Sequence, residues 1–170
     1  PRRMGKSTFL LNDLAPKLRL EGRMVLYVDL WADRTTDPGN LITACVAEGL
    51  REHASMLDRL RGSSPISGLG LLGVRVELRA NQAWEGTVSD ALATLSRACG
   101  KDIVLIVDEA QHSLSSTSGM DAMFALKAAR DAVNLSPELG QLYLVMTGSH
   151  RDKLAALVTG NKAPFLGAQV

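Results

Sequence analysis

The chain has 170 residues, with 19 Lys+Arg against 18 Asp+Glu, 46% apolar residues and a formal net charge of +1. One domain of that length buries a proper core, and the apolar content with 22% charged residues excludes a disordered chain. The charge balance excludes a histone-like binder, although a local patch can sit inside a neutral total, and the longest aliphatic run, residues 103–107, is far short of the roughly 20 residues of a membrane-spanning helix.

The chain opens on Pro1-Arg2-Arg3-Met4-Gly5-Lys6-Ser7, followed by Thr8. These seven residues match the last seven positions of G-x-x-x-x-G-K-[ST], whose first glycine would fall one residue before Pro1. A loop that wraps a phosphate needs backbone N–H groups pointing inward, and Gly5 permits that close approach. Arg3, Met4 and Gly5 belong to such a loop, with the Arg2 and Arg3 side chains read as solvated. A helix starting near Lys6 would aim its positive dipole end at the anion. Lys6 would bring a compact charge to the β and γ phosphates, Ser7 a hydroxyl to Mg²⁺, and Thr8 a hydroxyl to the α phosphate. The alternative is a chance Gly-Lys-Ser at a helix start. With no initiator methionine and an uncapped end at Gly-Ala-Gln-Val, residues 1–170 read as one domain, a fragment of a longer protein. The basic start lacks the apolar run of a secretory signal, so the expected compartment is the cytoplasm.

Helical periodicity covers residues 6–21, where Pro16 should kink or divide the helix. Residues 24–30 (MVLYVDL) form a continuous apolar strand of the kind a parallel sheet buries on both faces, and residues 41–61 a second helix. The glycine-rich stretch 62–73 (GSSPISGLGLLG) interrupts the alternation as a loop or half of a hairpin. It leads into residues 74–79 (VRVELR), whose alternation suits a strand with one wet face. A functional reading makes this insert a partner-contacting element, and the plainer one a flexible loop with an edge strand. A helix over 87–99 follows. Cys45 and Cys99 lie in helical stretches without paired spacing, reading as thiols in a reducing compartment rather than a disulfide or metal site.

Residues 103–108 (IVLIVD) form the most apolar strand and end in Asp108, with Glu109 next. A buried strand that ends in acids delivers them to the carboxyl edge of the sheet, where open α/β folds bind ligands. Asp108 would hold Mg²⁺ through its water shell. Glu109 would face the γ phosphate and orient or deprotonate the attacking water. After a helix at 120–134, residues 142–147 (LYLVMT) form a last strand, ending in Thr147-Gly148-Ser149. Thr147 would hydrogen-bond the attacking water or the γ phosphate, or else serve as a turn residue before the helix at 151–158. His112 reads as a polar loop residue and Trp31 as a packing residue. Strands alternating with helices predict an α/β fold with right-handed crossovers.

In order, the phosphate loop, the acidic strand and the polar strand end, with the extra strand 24–30 between the first two, resemble the additional-strand class of P-loop ATPases. The pieces RRMGKSTFLL, VLYVDLW, IVLIVDEAQH and LVMTGS look like AAA+ and STAND ATPases, most closely the archaeal-type ATPases related to origin-recognition proteins. The resemblance implies a three-layer fold, a mostly parallel sheet with helices on both faces, in which the Thr147 strand lies between the phosphate-loop strand and the Asp108 strand. It implies ATP and Mg²⁺ as cofactors and a protein partner or self-assembly, with DNA reached only through further domains and no membrane partner. Relatives often carry an Arg after a Pro-aromatic-x-Gly segment, and here Pro164-Phe165-Leu166-Gly167 is followed by Ala168. The DEAQ run also resembles DEAH-box helicases, whose Ser-Ala-Thr after the next strand is replaced by Thr-Gly-Ser. Three activities compete: an ATP-hydrolysing module driving a partner domain, a slow nucleotide-dependent switch, and a DNA-associated scaffold whose ATP site sets assembly.

Overall fold

A computed structural model describes the backbone of residues 5–60, 69–71, 74–76 and 87–167. Three aliphatic runs form a parallel sheet: β1 (Met24–Asp29), β4 (Ile103–Asp108) and β5 (Leu142–Met146), in the order β1-β4-β5. Asp29 stands opposite Asp108 in the register, and Val107 opposite Met146. All six residues of β4 are buried, as a central strand rich in β-branched residues should be. β2 (Leu69–Leu71) and β3 (Val74–Val76) pair antiparallel, so the glycine-rich insert ends as one arm of a hairpin. Residues 62–68, 72–73 and 77–79 lie outside the described residues, and with them the expected wet face of that strand.

The period of two along each strand divides the core in two. Ile103, Leu105 and Val107 of β4, with Leu26 and Val28 of β1, join the larger cluster. It is covered by α3 (Pro38–Leu60), α4 (Val88–Cys99) and α5 (Thr117–Leu135). Val104 and Ile106, with Val25 and the Tyr27 ring, face the other way onto Leu10 and Ala15. That face carries a helical stretch made of α1 (Lys6–Phe9), a π turn at Leu10–Leu14 and α2 (Ala15–Leu20). Helices on both faces of a parallel sheet make the three-layer α/β fold the sequence predicts.

Pro16 divides the first helix. It has no N–H for an i→i−4 bond, and the backbone widens to a π turn just before it. Two helices begin earlier than their apolar periodicity suggests. Asp37 accepts from the Gly39 N–H at 2.8 Å, which together with Pro38 in the first turn starts α3 three residues before 41. Ser116 accepts from the Gly119 N–H at 3.0 Å and starts α5 at Thr117. α4 begins at Val88 behind a reciprocal Thr87–Asp90 capping box. The last helix, α6 (Arg151–Ala155), is shorter than expected. Both cysteines are free, and Cys45, its thiol pushed up to about 11 by burial, donates to the Tyr27 carbonyl. Among the described residues no helix is long and apolar enough to cross a membrane.

Candidate functional site

Three parallel strands point their carboxyl ends at one edge, and the polar strand ends meet there. Asp108 continues the alternation of Val104 and Ile106, so its side chain emerges on the α1 face. Thr147, two residues beyond Val145, and Tyr27, two beyond Val25, share that face. Asp108 is only 1% exposed, and a buried carboxylate needs donors. It has four. Oδ2 accepts from the Ser7 hydroxyl at 2.5 Å and the Tyr27 hydroxyl at 2.9 Å. Oδ1 accepts from the Thr147 hydroxyl and the Glu109 N–H at 2.9 Å. Burial alone would raise its pKa. The bonds from Ser7, Thr147, Tyr27 and the Glu109 N–H outweigh that and hold the carboxyl below its ordinary value. The same burial raises Tyr27, and its bond to Asp108 adds to the rise, so the phenol remains a donor.

Gly5 caps α1 in the left-handed region at φ 69°, a conformation glycine adopts without a Cβ penalty. Lys6 is half-buried and donates its ammonium to the Gly148 carbonyl. Among the described residues no carboxylate forms an ion pair with it. Thr8 is exposed. Lys6, Ser7, Asp108, Glu109 and Thr147 are thus brought together, while Arg3 and Met4 lie outside the described residues. Thr147 faces Asp108 rather than open space.

Glu109 has a different environment from its neighbour. At φ 53° and ψ 39° it is the one non-glycine residue with positive φ among the described residues, and such strain costs on the order of 1–3 kcal/mol and concentrates at functional sites. Its own N–H bond to Asp108 and the bond from the Ala110 N–H to the Thr147 carbonyl at 2.8 Å fix that turn. Oε2 accepts from the Ser149 hydroxyl at 2.8 Å, the Ser149 N–H at 3.2 Å and the Gln111 amide. Burial raises the Glu109 pKa, but the Gln111 and Ser149 bonds, helped by the Lys6 charge, bring it below the ordinary value. The group is ionised at neutral pH. Oε1 accepts no bond among the described residues and stays available to a water.

Gln111, from the DEAQ run, and Ser149, from the polar end of β5, are the side chains that hold Glu109. Gln111 is buried, and its Oε1 has no partner among the described residues. A Cβ on Gly148 would collide with that atom, so glycine at 148 leaves room for the amide that restrains Glu109. His112 packs against Trp31 with ring centroids 4.7 Å apart, and the Arg34 guanidinium lies over Trp31 at 5.8 Å.

The donor set suits Mg²⁺, which takes hard oxygen ligands and is usually held by one or two protein groups with water and phosphate completing the shell. Ser7 and Asp108 supply such oxygens side by side. Among the described residues no group of three His, Cys, Asp or Glu side chains could hold a metal.

Compared with family models and with curated proteins, the chain matches none. It is similar to a solved structure, the Walker-type ATPase PABY2304 of Pyrococcus abyssi, at 21% identity and a TM-score of 0.57, over 98% of this chain and 44% of that one. The likeness establishes the fold: an α/β architecture shared with a Walker-type ATPase. This chain spans under half the length of that neighbour.

Proposed function

We propose that the chain is the ATP-binding and hydrolysing core of a P-loop ATPase, of AAA+/STAND type, coupling nucleotide state to a partner domain or to self-assembly. The observation that carries the reading is the convergence of Ser7 and Asp108. Residues 101 apart in sequence meet through one hydrogen bond, beside a lysine with no carboxylate partner among the described residues and at the start of a helix.

In this reading the N–H groups of the loop through Arg3, Met4 and Gly5 wrap the phosphates, and Thr8 reaches the α phosphate. Lys6 leaves the Gly148 carbonyl for the β and γ oxygens. Ser7 and Asp108 hold Mg²⁺, which would offset the charge gathering on those oxygens in the transition state. Glu109, ionised and with Oε1 open, accepts a proton as water attacks the γ phosphorus and the bond to the β-bridging oxygen breaks, releasing ADP and phosphate. Thr147, bonded to Asp108, steadies the carboxylate between the two motifs and can turn its hydroxyl oxygen to the water.

The pinning of Glu109 Oε2 by Ser149 and Gln111 favours a second reading, a nucleotide-dependent switch with slow turnover. A DNA-associated scaffold remains the third, resting on domains outside this chain. The test is Glu109→Gln, which keeps the size of the side chain but cannot take a proton. ATP binding should match wild type while steady-state phosphate release falls at least ~100-fold, the range for loss of a general base. Release at the wild-type rate removes Glu109 from the mechanism. Wild type that binds ATP but barely turns over establishes the switch.

A further inference from the structure

The bonds around Asp108 include one that no motif accounts for. Tyr27 stands in the middle of β1, its ring packed among the cluster of Leu10, Ala15, Val25, Val104 and Ile106. Its hydroxyl reaches across to Asp108 Oδ2 at 2.9 Å, the oxygen that Ser7 also bonds at 2.5 Å. A carboxylate has about four lone-pair sites, and four donors fill them here, so the plane of the Asp108 carboxylate is fixed. Three of those donors, Tyr27, Thr147 and the Glu109 N–H, come from the sheet and its ends. Only Ser7 comes from the phosphate-side helix. When the Ser7 oxygen turns to a cation, Tyr27 is the donor that still holds Oδ2 in place.

We propose that Tyr27 is a positioning residue for the metal-side carboxylate, its hydroxyl keeping Asp108 in the orientation in which it takes Mg²⁺ together with Ser7. The inference rests on the nucleotide-site reading above and adds to it a residue of the extra strand that the reading gave no role. The ring and the hydroxyl do separate things: the ring fills the space under the π turn, and the hydroxyl orients the acid. A Tyr27→Phe variant keeps the first and deletes the second.

The test is calorimetric titration of ATP into the full chain, without metal and at stepped Mg²⁺ concentrations, for wild type, Tyr27→Phe, Tyr27→Leu and Lys6→Ala. Tyr27→Phe should raise the Mg²⁺ concentration at half-saturation about tenfold, as expected for losing a hydrogen bond to a charged group, and leave metal-free ATP affinity at the wild-type value. Tyr27→Leu should show the same Mg²⁺ shift with a lower melting temperature, because it also empties the space of the ring. An unmoved Mg²⁺ midpoint in Tyr27→Phe overturns the inference. So does an equal loss of affinity with and without metal, which is what a packing role would give. If Lys6→Ala keeps wild-type affinity, the nucleotide-site reading itself falls. If Lys6→Ala loses affinity while Tyr27→Phe keeps its Mg²⁺ midpoint, only the role of Tyr27 falls.

Discussion

The two faces of the sheet are held by different means. On the α3–α5 face, Leu105, Met123, Leu126 and Leu142 are at most 1% exposed and belong to a continuous apolar cluster with twenty-two buried members among the described residues. On the α1 face the apolar cluster has five among the described residues, and Phe9, Leu11 and Leu20 of the helices covering it are exposed. The smaller face is supplemented by polar bonds, from Ser7 and Tyr27 to Asp108 and from Lys6 to the Gly148 carbonyl. Apolar burial on one side therefore supplies most of the stability. Hydrogen bonds on the other side fix the segment that the proposed function requires to respond to a ligand. Such bonds can be exchanged for bonds to phosphate and metal, which an apolar contact cannot.

The largest effect expected from this difference is on stability. Leu105→Ala, in the centre of the heavy face, should lower unfolding free energy by about 2–5 kcal/mol. Leu10→Ala, on the light face, should cost less, because the exposed surroundings can relax into the space. Urea denaturation of both variants measures the ratio. Equal losses would break the comparison.

A smaller effect should appear in acid, and it isolates the polar side. Asp108 is held below its ordinary value in the folded protein, so the unfolded chain takes up the proton first. Its contribution is fully present above the ordinary aspartate pKa of about 3.9 and is lost as pH falls through the lower, native value. Asp108→Asn has no such proton to take up. Its stability should decline less steeply than that of wild type below about pH 4, as read by denaturation at stepped pH. Parallel acid limbs would show that Asp108 does not bind the α1 face in this way.

The parts of this arrangement legible in the sequence are those written as continuous patterns. β4 appears at its expected bounds because five aliphatics ending in an acid admit one register of burial. β1 and β5 each stop one residue before the expected end. Lys6, Ser7, Asp108, Glu109 and Thr147 were visible as motif positions, and the structure brings them to one edge. Tyr27 was not, because within VLYVDL it reads as one more apolar residue. Only the register of β1 on β4, with Asp29 opposite Asp108, brings Tyr27 beside the acid. Period-two alternation could have placed both on one side, but not beside each other. Gln111 and Ser149 stand in the DEAQ run and the Thr147-Gly148-Ser149 strand end, but their bonds to Glu109 depend on the left-handed turn at that residue, which no local preference of glutamate announces. The early starts of α3 and α5 had signals, Asp37-Pro38 and Ser116, that apolar periodicity alone passes over.

In the proposed function, residues 5–8, held to Asp108 on the light face, form the phosphate site. Isothermal titration of ATP with Mg²⁺ into the full chain and into its Lys6→Ala variant tests it most directly. Wild type should bind, and the variant should lose about 100-fold in affinity, the size expected when a charged hydrogen-bond donor to phosphate is removed. An affinity unchanged by Lys6→Ala would contradict it.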